Sequence, residues 1–196
     1  MQQPENLLVV FFGMIAAGKS YLAASWADRH QLPCYNSDRV RKELAGFSPE
    51  TGQKEEVDQG IYSPEFSRRT YDALIELAAD HFQKNHRAAV VLDGSYQSLS
   101  ERELLRKQFA DHVRLLFVYC HCSDEVVRQR LKIRVSDPDA VSDGNWEIYL
   151  AQKKRFQLPT DGEGVLVLNT DAPLQELMAE VDKNTVAGTG AEHGIA

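Results

Sequence analysis

The sequence predicts a three-layer α/β domain, with a five-stranded parallel sheet, helices on both faces and a short lid. Three observations predict it. Apolar runs alternate along the chain with segments of helical period. Three of the five strand segments are continuous apolar runs, the mark of strands covered on both faces. A glycine-punctuated loop stands where the first apolar run meets the first helical segment.

The first strand covers residues 7–12, ending at Phe12. A helix follows over 19–29, with Leu22 and Trp26 on one side. The second strand, 33–36, is short, and a helix over 38–44 comes straight after it. Residues 46–63 are rich in glycine, proline and charge and read as a surface loop. A long helix over 64–85 places Leu74, Leu77, Ala78 and Phe82 at helical spacing. The third strand, 88–93, ends in Asp93. Next come a helix at 100–110, a strand at 113–119 and a helix at 124–133. A second loop, 136–145, contains Pro138 and Gly144. A helix at 146–156, a strand at 165–169 and a helix from 173 to 183 complete the domain, taken as 1–183. Residues 184–196 carry three glycines and no periodicity and are expected to form a disordered tail.

Composition narrows the function. A chain of 196 residues with 43% hydrophobic residues can build a core without disulfides or structural metals. Its net charge of −7 argues against an extended nucleic-acid surface, which needs excess Lys and Arg, although the tip of one strand needs only a few. The three cysteines, Cys34, Cys120 and Cys122, do not make a disulfide framework. Cys120-His121-Cys122 has no second ligand pair at finger spacing and reads as the end of a buried strand. The apolar run from Leu7 has no basic residue ahead of it, is too short to span a bilayer and runs directly into Gly18-Lys19-Ser20. The expected compartment is the cytoplasm.

Gly13-Met14-Ile15-Ala16-Ala17-Gly18-Lys19-Ser20 fits G-x-x-x-x-G-K-[ST] at each fixed position, between a strand and a helix. Gly13 and Gly18 let the backbone turn tightly and aim its N–H groups at phosphate oxygens. The helix that starts there, with Tyr21 in its first turn, adds its positive end. Lys19 suits the β- and γ-phosphates of ATP, and the Ser20 hydroxyl suits Mg²⁺.

The second strand runs into Asn36-Ser37-Asp38-Arg39-Val40-Arg41. Asp38 has two readings that do not exclude each other. It can take the proton of an attacking hydroxyl, or Ser37 or Asp38 can cap the helix. Arg41, one turn on, suits an anionic group of the acceptor. Asp93, followed by Gly94-Ser95-Tyr96-Gln97, suits the same site, either as a partner of Mg²⁺ through water or as a holder of Arg41. Beyond the fourth strand, Arg130 and Arg134 share a helical face and suit a lid closing over the transferring phosphoryl group. Arg128 reads as part of a solvated basic face.

Together these motifs resemble the small P-loop kinases: polynucleotide 5′-hydroxyl kinases, gluconate kinases, chloramphenicol phosphotransferases, zeta-toxin kinases and the predicted kinases of the AAA-type ATPase grouping. The resemblance covers roughly residues 7–170, and its characteristic stretches are residues 37–46, 62–71 and 142–156, the last with Trp146-Glu147 and Gln152-Lys153. It implies the P-loop NTPase fold with strand order 2-3-1-4-5. It also implies that Asp38 is the general base, that Arg41 contacts the acceptor, and that Arg134 stabilises the transferring group. The function expected is transfer of the ATP γ-phosphate to a hydroxyl of a small molecule or a nucleotide end. A switch module without an acceptor and a toxin-like sugar-nucleotide kinase are the alternatives.

Overall fold

In the computed structural model, the described residues are 6–48, 60–110, 112–135 and 145–186, without the side chains of 134 and 135. The predicted loops at 46–63 and 136–145 therefore fall largely outside the description, as does the predicted tail beyond residue 186.

The sheet is built around β1 (Asn6–Phe12). From Leu8 to Phe12 every residue is fully buried, which requires cover on both faces. β1 pairs in parallel with β3 (Ala89–Gly94) on one side and β4 (Val113–His121) on the other. β2 (Cys34–Asn36) joins β3, and β5 (Leu166–Asn169) joins β4. The order is β2-β3-β1-β4-β5, the order that the resemblance implies.

Because strand side chains alternate, β1 feeds two cores. Leu8, Val10 and Phe12 pack with α3 (Pro64–Lys84) through Tyr71, Leu74 and Ala78, and with α4 (Leu99–Phe109) through Leu105 and Phe109. Val9 and Phe11 face α1 (Lys19–Arg29) through Leu22 and Trp26, and α7 (Leu174–Val186) through Leu177, Met178 and Val181. These are the three predicted layers. A third, smaller cluster lies over the end of the sheet. There α5 (Asp124–Val135) and α6 (Trp146–Arg155) bring Val127, Leu131 and Tyr149 onto Ala16.

Caps decide where the helices start, one residue earlier than expected for α4 and at the expected residue for α3. α4 starts at Leu99, because Ser98 and Glu101 form a reciprocal capping box. α3 starts at Pro64 behind the Ser63 cap. β4 runs on to His121, with Cys120 wholly buried in it, as the strand reading of that run expects. α7 extends to Val186, past the predicted end of the domain.

One buried ion pair ties the outer layer down. Arg102 on α4 is fully buried and makes two bonds to Glu163, 2.8 Å from Nε and 3.1 Å from Nη2. Its Nη1 donates to the Tyr96 carbonyl at 3.0 Å. No described helix is long and apolar enough to cross a membrane.

The register sets up the site. Asp93 is level with Phe11 of β1 and with Asn36 of β2, so three strands end side by side. Ligands of open parallel sheets sit at such carboxyl ends.

Candidate active site

The chain leaves β1 through Gly13, whose φ is 146° and whose N–H donates to the Ser95 carbonyl at 3.4 Å. A Cβ at this position would lie 2.2 Å from the Cys120 carbonyl oxygen, so only glycine fits against β4. The turn closes with Ala17 N–H on the Met14 carbonyl at 3.2 Å, and Ala16 takes a left-handed φ of 60°. That conformation costs a non-glycine residue about 1–2 kcal/mol. Gly18, with φ 81°, is the N-cap of α1 and supplies no side-chain cap. As a result, among the described residues, the N–H groups of Ala16, Gly18, Lys19 and Ser20 donate to no other group. The first turn of α1 has no acidic side chain to compete for them. This is an anion cradle made of backbone, with Lys19 and Ser20 half-buried at its end. The side chain of Tyr21 is 69% exposed, so it can serve the cradle only through its backbone.

Beside the cradle, Asn36 organises the carboxylates. Its Oδ1 accepts from the N–H groups of Asp38 and Arg39, each at 3.0 Å, and so caps α2 (Ser37–Leu44). The expectation that Ser37 or Asp38 caps this helix is corrected: the cap lies one residue earlier, and both belong to the helix. Asp38 keeps its carboxylate off the cap, and Tyr62 Oη donates to Asp38 Oδ1 at 3.5 Å. The Nδ2 of Asn36 donates to Asp93 Oδ2 at 2.5 Å. Asp93 is 2% exposed, and its other oxygen, Oδ1, is sealed without a partner among the described residues. Such an atom needs a ligand, a water or a cation to offset its desolvation.

Arg41 is brought to the same end of the sheet but is turned toward α3. Its Nη1 donates to the Ile61 carbonyl at 2.6 Å and to Ser67 Oγ at 3.1 Å. The guanidinium also lies 5.2 Å from the centre of the Tyr62 ring. The predicted alternative in which Asp93 holds Arg41 is not the arrangement found, because Asn36 takes that carboxylate.

The far wall of the site is tyrosine-rich. Tyr71 Oη lies 3.1 Å from Ser95 Oγ and accepts from the Tyr96 N–H at 3.2 Å. Burial pushes the Tyr71 phenol up to about 12, so it stays a neutral hydroxyl. A Cβ on Gly94 would meet Tyr96 at 2.9 Å and Ser37 and Tyr71 at 3.3 Å each. That glycine lets these three side chains converge.

On the other side, Arg130 backs the cradle. Its Nη1 donates to the Ala16 carbonyl at 3.2 Å and to Thr170 Oγ1 at 3.0 Å, and its Nη2 to the Thr170 carbonyl at 2.8 Å. Thr170 Oγ1 in turn lies 2.8 Å from the Ala17 carbonyl. The sequence expects Arg130 to close over the transferring phosphoryl group; here its guanidinium holds the Ala16 carbonyl of the phosphate loop from behind and ties it to Thr170. Arg134 belongs to the last turn of α5, and its side chain lies outside the described residues. Arg128, read as solvated, stacks on the Trp146 ring at 4.1 Å.

The sequence reading gives three contributors no role in the site, although Gln152 lies in a stretch that carries the resemblance. Asn36 carried a signal, since asparagine after a strand is a preferred N-cap. Thr170 stands just past β5, at the carboxyl end where site residues gather. Gln152 of α6, 8% exposed, accepts from the Ile15 N–H at 2.7 Å, and helical periodicity alone gives no hint of it.

The donor chemistry fits a magnesium ion. Asp93 offers an unpartnered hard oxygen and Ser20 a hydroxyl, the ligand types that this ion takes beside phosphates and water.

Solved structures share the fold across nearly the whole chain. A sugar kinase from Janibacter sp. HTCC2649 is 17% identical over 96% of this chain and 99% of its own, with a TM-score of 0.67. A gluconokinase from Sinorhizobium meliloti 1021 is 19% identical over 97% and 100%, with a TM-score of 0.61. The APS kinase of Mycobacterium tuberculosis, in complex with AMPPNP and APS, is 18% identical over 92% and 97%, with a TM-score of 0.64. No curated protein matches the chain significantly. A family model described as AAA domain matches residues 8–159, the span that carries the phosphate loop, Asn36, Asp38, Asp93 and α6. The chain has a P-loop kinase-like fold and belongs to this AAA domain family.

Proposed function

We propose that the protein is an ATP-dependent kinase that transfers the γ-phosphoryl group to a hydroxyl of a small molecule. The observation that carries this reading is the position of Asp38 and Asp93 at the carboxyl ends of β2 and β3, next to the strand that leads into the phosphate cradle, with Asn36 bound to both. A module that only binds nucleotide has no use for a second carboxylate pointing away from its helix cap.

In this reading the cradle amides and Lys19 hold the β- and γ-phosphates. Asp38 accepts the proton of the acceptor hydroxyl as its oxygen bonds to the γ-phosphorus. The bond from that phosphorus to the bridging oxygen breaks, and ADP leaves with the electron pair. Arg134, at the base of the lid segment, meets the charge on the transferring oxygens, and Arg41 orients the acceptor. Ser20 and Asp93 would hold magnesium, which supplies neutralising charge when bound. The net charge of −7 favours a small acceptor over a long nucleic acid, and the cytoplasm is the compartment where ATP is at hand. Those solved relatives named for sugar, gluconate and APS support offering polyhydroxylated and anionic acceptors first.

The test is transfer of labelled γ-phosphate to pooled sugars, sugar acids, aminoglycosides, nucleosides and 5′-hydroxyl oligonucleotides. A labelled acceptor that disappears with Asp38→Ala supports the reading. ATP bound with no label moved to any acceptor favours a nucleotide switch instead.

A further inference from the structure

The helix α6 has no role in the mechanism above, yet it touches the phosphate loop directly. Gln152 Oε1 accepts from the Ile15 N–H at 2.7 Å. Only the oxygen of an amide can accept, so this bond fixes which way the side chain is turned. Its Nε2 donates to no group among the described residues. It is also not one of their sealed unpartnered atoms, which are Asp93 Oδ1 and Tyr96 Oη. Two oriented N–H donors are thus accessible on a side chain that is only 8% exposed.

The helix is anchored at three places. Tyr149 Oη and Lys153 Nζ both bind Asp124 Oδ1 at 2.7 Å, joining α6 to α5. Trp146 and Tyr149 pack with Met14, Ile15 and Ala16. Just past the helix, Gln157 N–H donates to the Gln97 carbonyl at 2.8 Å, and Gln157 Oε1 accepts from the Leu99 N–H at 2.6 Å. Gln97 follows the strand end that holds Asp93. α6 therefore braces the first turn of the cradle against the Asp93 loop.

We infer that Gln152 is a specificity-determining contact for the terminal phosphate of the bound nucleotide. It donates from Nε2 to a γ-oxygen while Oε1 keeps the Ile15 amide in place. The inference rests on the kinase reading, because that reading puts the γ-phosphate between the first turn of the cradle and Asp38. Gln152 thereby distinguishes a nucleoside triphosphate from a diphosphate before any acceptor arrives.

The experiment needs no acceptor. Calorimetry on the full chain with magnesium compares AMPPNP and ADP for wild type, Gln152→Glu and Gln152→Met. Glu keeps an acceptor for the Ile15 N–H but replaces the donors with negative charge. We expect it to weaken AMPPNP about tenfold or more and ADP about twofold. Met keeps the bulk without charge and lowers the AMPPNP-over-ADP preference about fivefold. If Glu lowers the ligand-free melting temperature, the preference is read from Met. Unchanged binding in both variants, or equal loss for both nucleotides, overturns the inference and leaves Gln152 a brace. A wild type that binds neither nucleotide overturns the kinase reading itself.

Discussion

Asn36 donates its side-chain amide to Asp93 at 2.5 Å while its own oxygen caps the helix that carries Asp38. One residue thus sets the spacing of two carboxylates from different strand ends. Asn36→Ala removes both interactions at once. Loss of the cap costs about 1 kcal/mol. Loss of the amide leaves both oxygens of a buried carboxylate unpartnered, for roughly 1–3 kcal/mol more. Chemical denaturation should show the sum, and the variant should lose phosphoryl transfer even where it is folded. Asn36→Asp should keep the cap yet place two carboxylates in contact, so one of the pair should hold a proton at neutral pH. Wild-type stability in Asn36→Ala would show that the contact carries no weight.

Gly13 is the most constrained position in the loop. A methyl group there meets backbone, the Cys120 carbonyl at 2.2 Å, and backbone of a central strand does not yield. Gly13→Ala should abolish nucleotide binding, measured by calorimetry with ADP. Gly162→Ala makes a clean comparison, since its Cβ would meet nothing within 4 Å. It should bind ADP like wild type.

Arg130 acts on the cradle from behind, through the carbonyls of Ala16 and Thr170. Arg130→Ala should free the loop and weaken ADP binding about tenfold. Arg130→Lys should rescue little, because one ammonium cannot reach acceptors on two segments in a planar fork. Full rescue by lysine would mean that only charge matters here.

Much of this was legible in the sequence, and the parts that were not share a cause. Strand runs such as Leu8 to Phe12 are apolar on both faces, so periodicity and burial agree and the sheet can be read directly. The phosphate loop is legible because few residue types satisfy its backbone, as Gly13 shows. What stayed hidden depends on contacts between distant segments. Gln152 meets Ile15 across 137 positions, and Thr170 meets Ala17 across 153. No local pattern encodes such a meeting. Arg41 and Arg130 show the complementary case. Their motif predicted that they arrive at the site, but the carbonyls of Ile61 and Thr170 that hold them come from elsewhere in the chain.

The Arg102–Glu163 pair gives the fold an acid-sensitive contribution that one substitution can isolate. The Arg102 guanidinium, first through its hydrogen bonds, holds the Glu163 carboxyl below the usual glutamate range. A depressed folded-state value stabilises the fold above the unfolded value of about 4.3 and loses that contribution as pH falls through the folded value. Glu163→Gln leaves Arg102 buried beside a neutral amide and should cost roughly 3 kcal/mol at pH 7. The difference between wild type and variant should stay constant above about pH 5 and shrink below about pH 4. Asp124, lowered by the hydrogen bonds of Lys153 and Tyr149, titrates in the same window and remains in both proteins. The acid limb of Glu163→Gln should therefore be shallower, not flat. Melting temperatures from pH 3 to pH 8 would check this, and a difference that grows toward acid would reject the assignment.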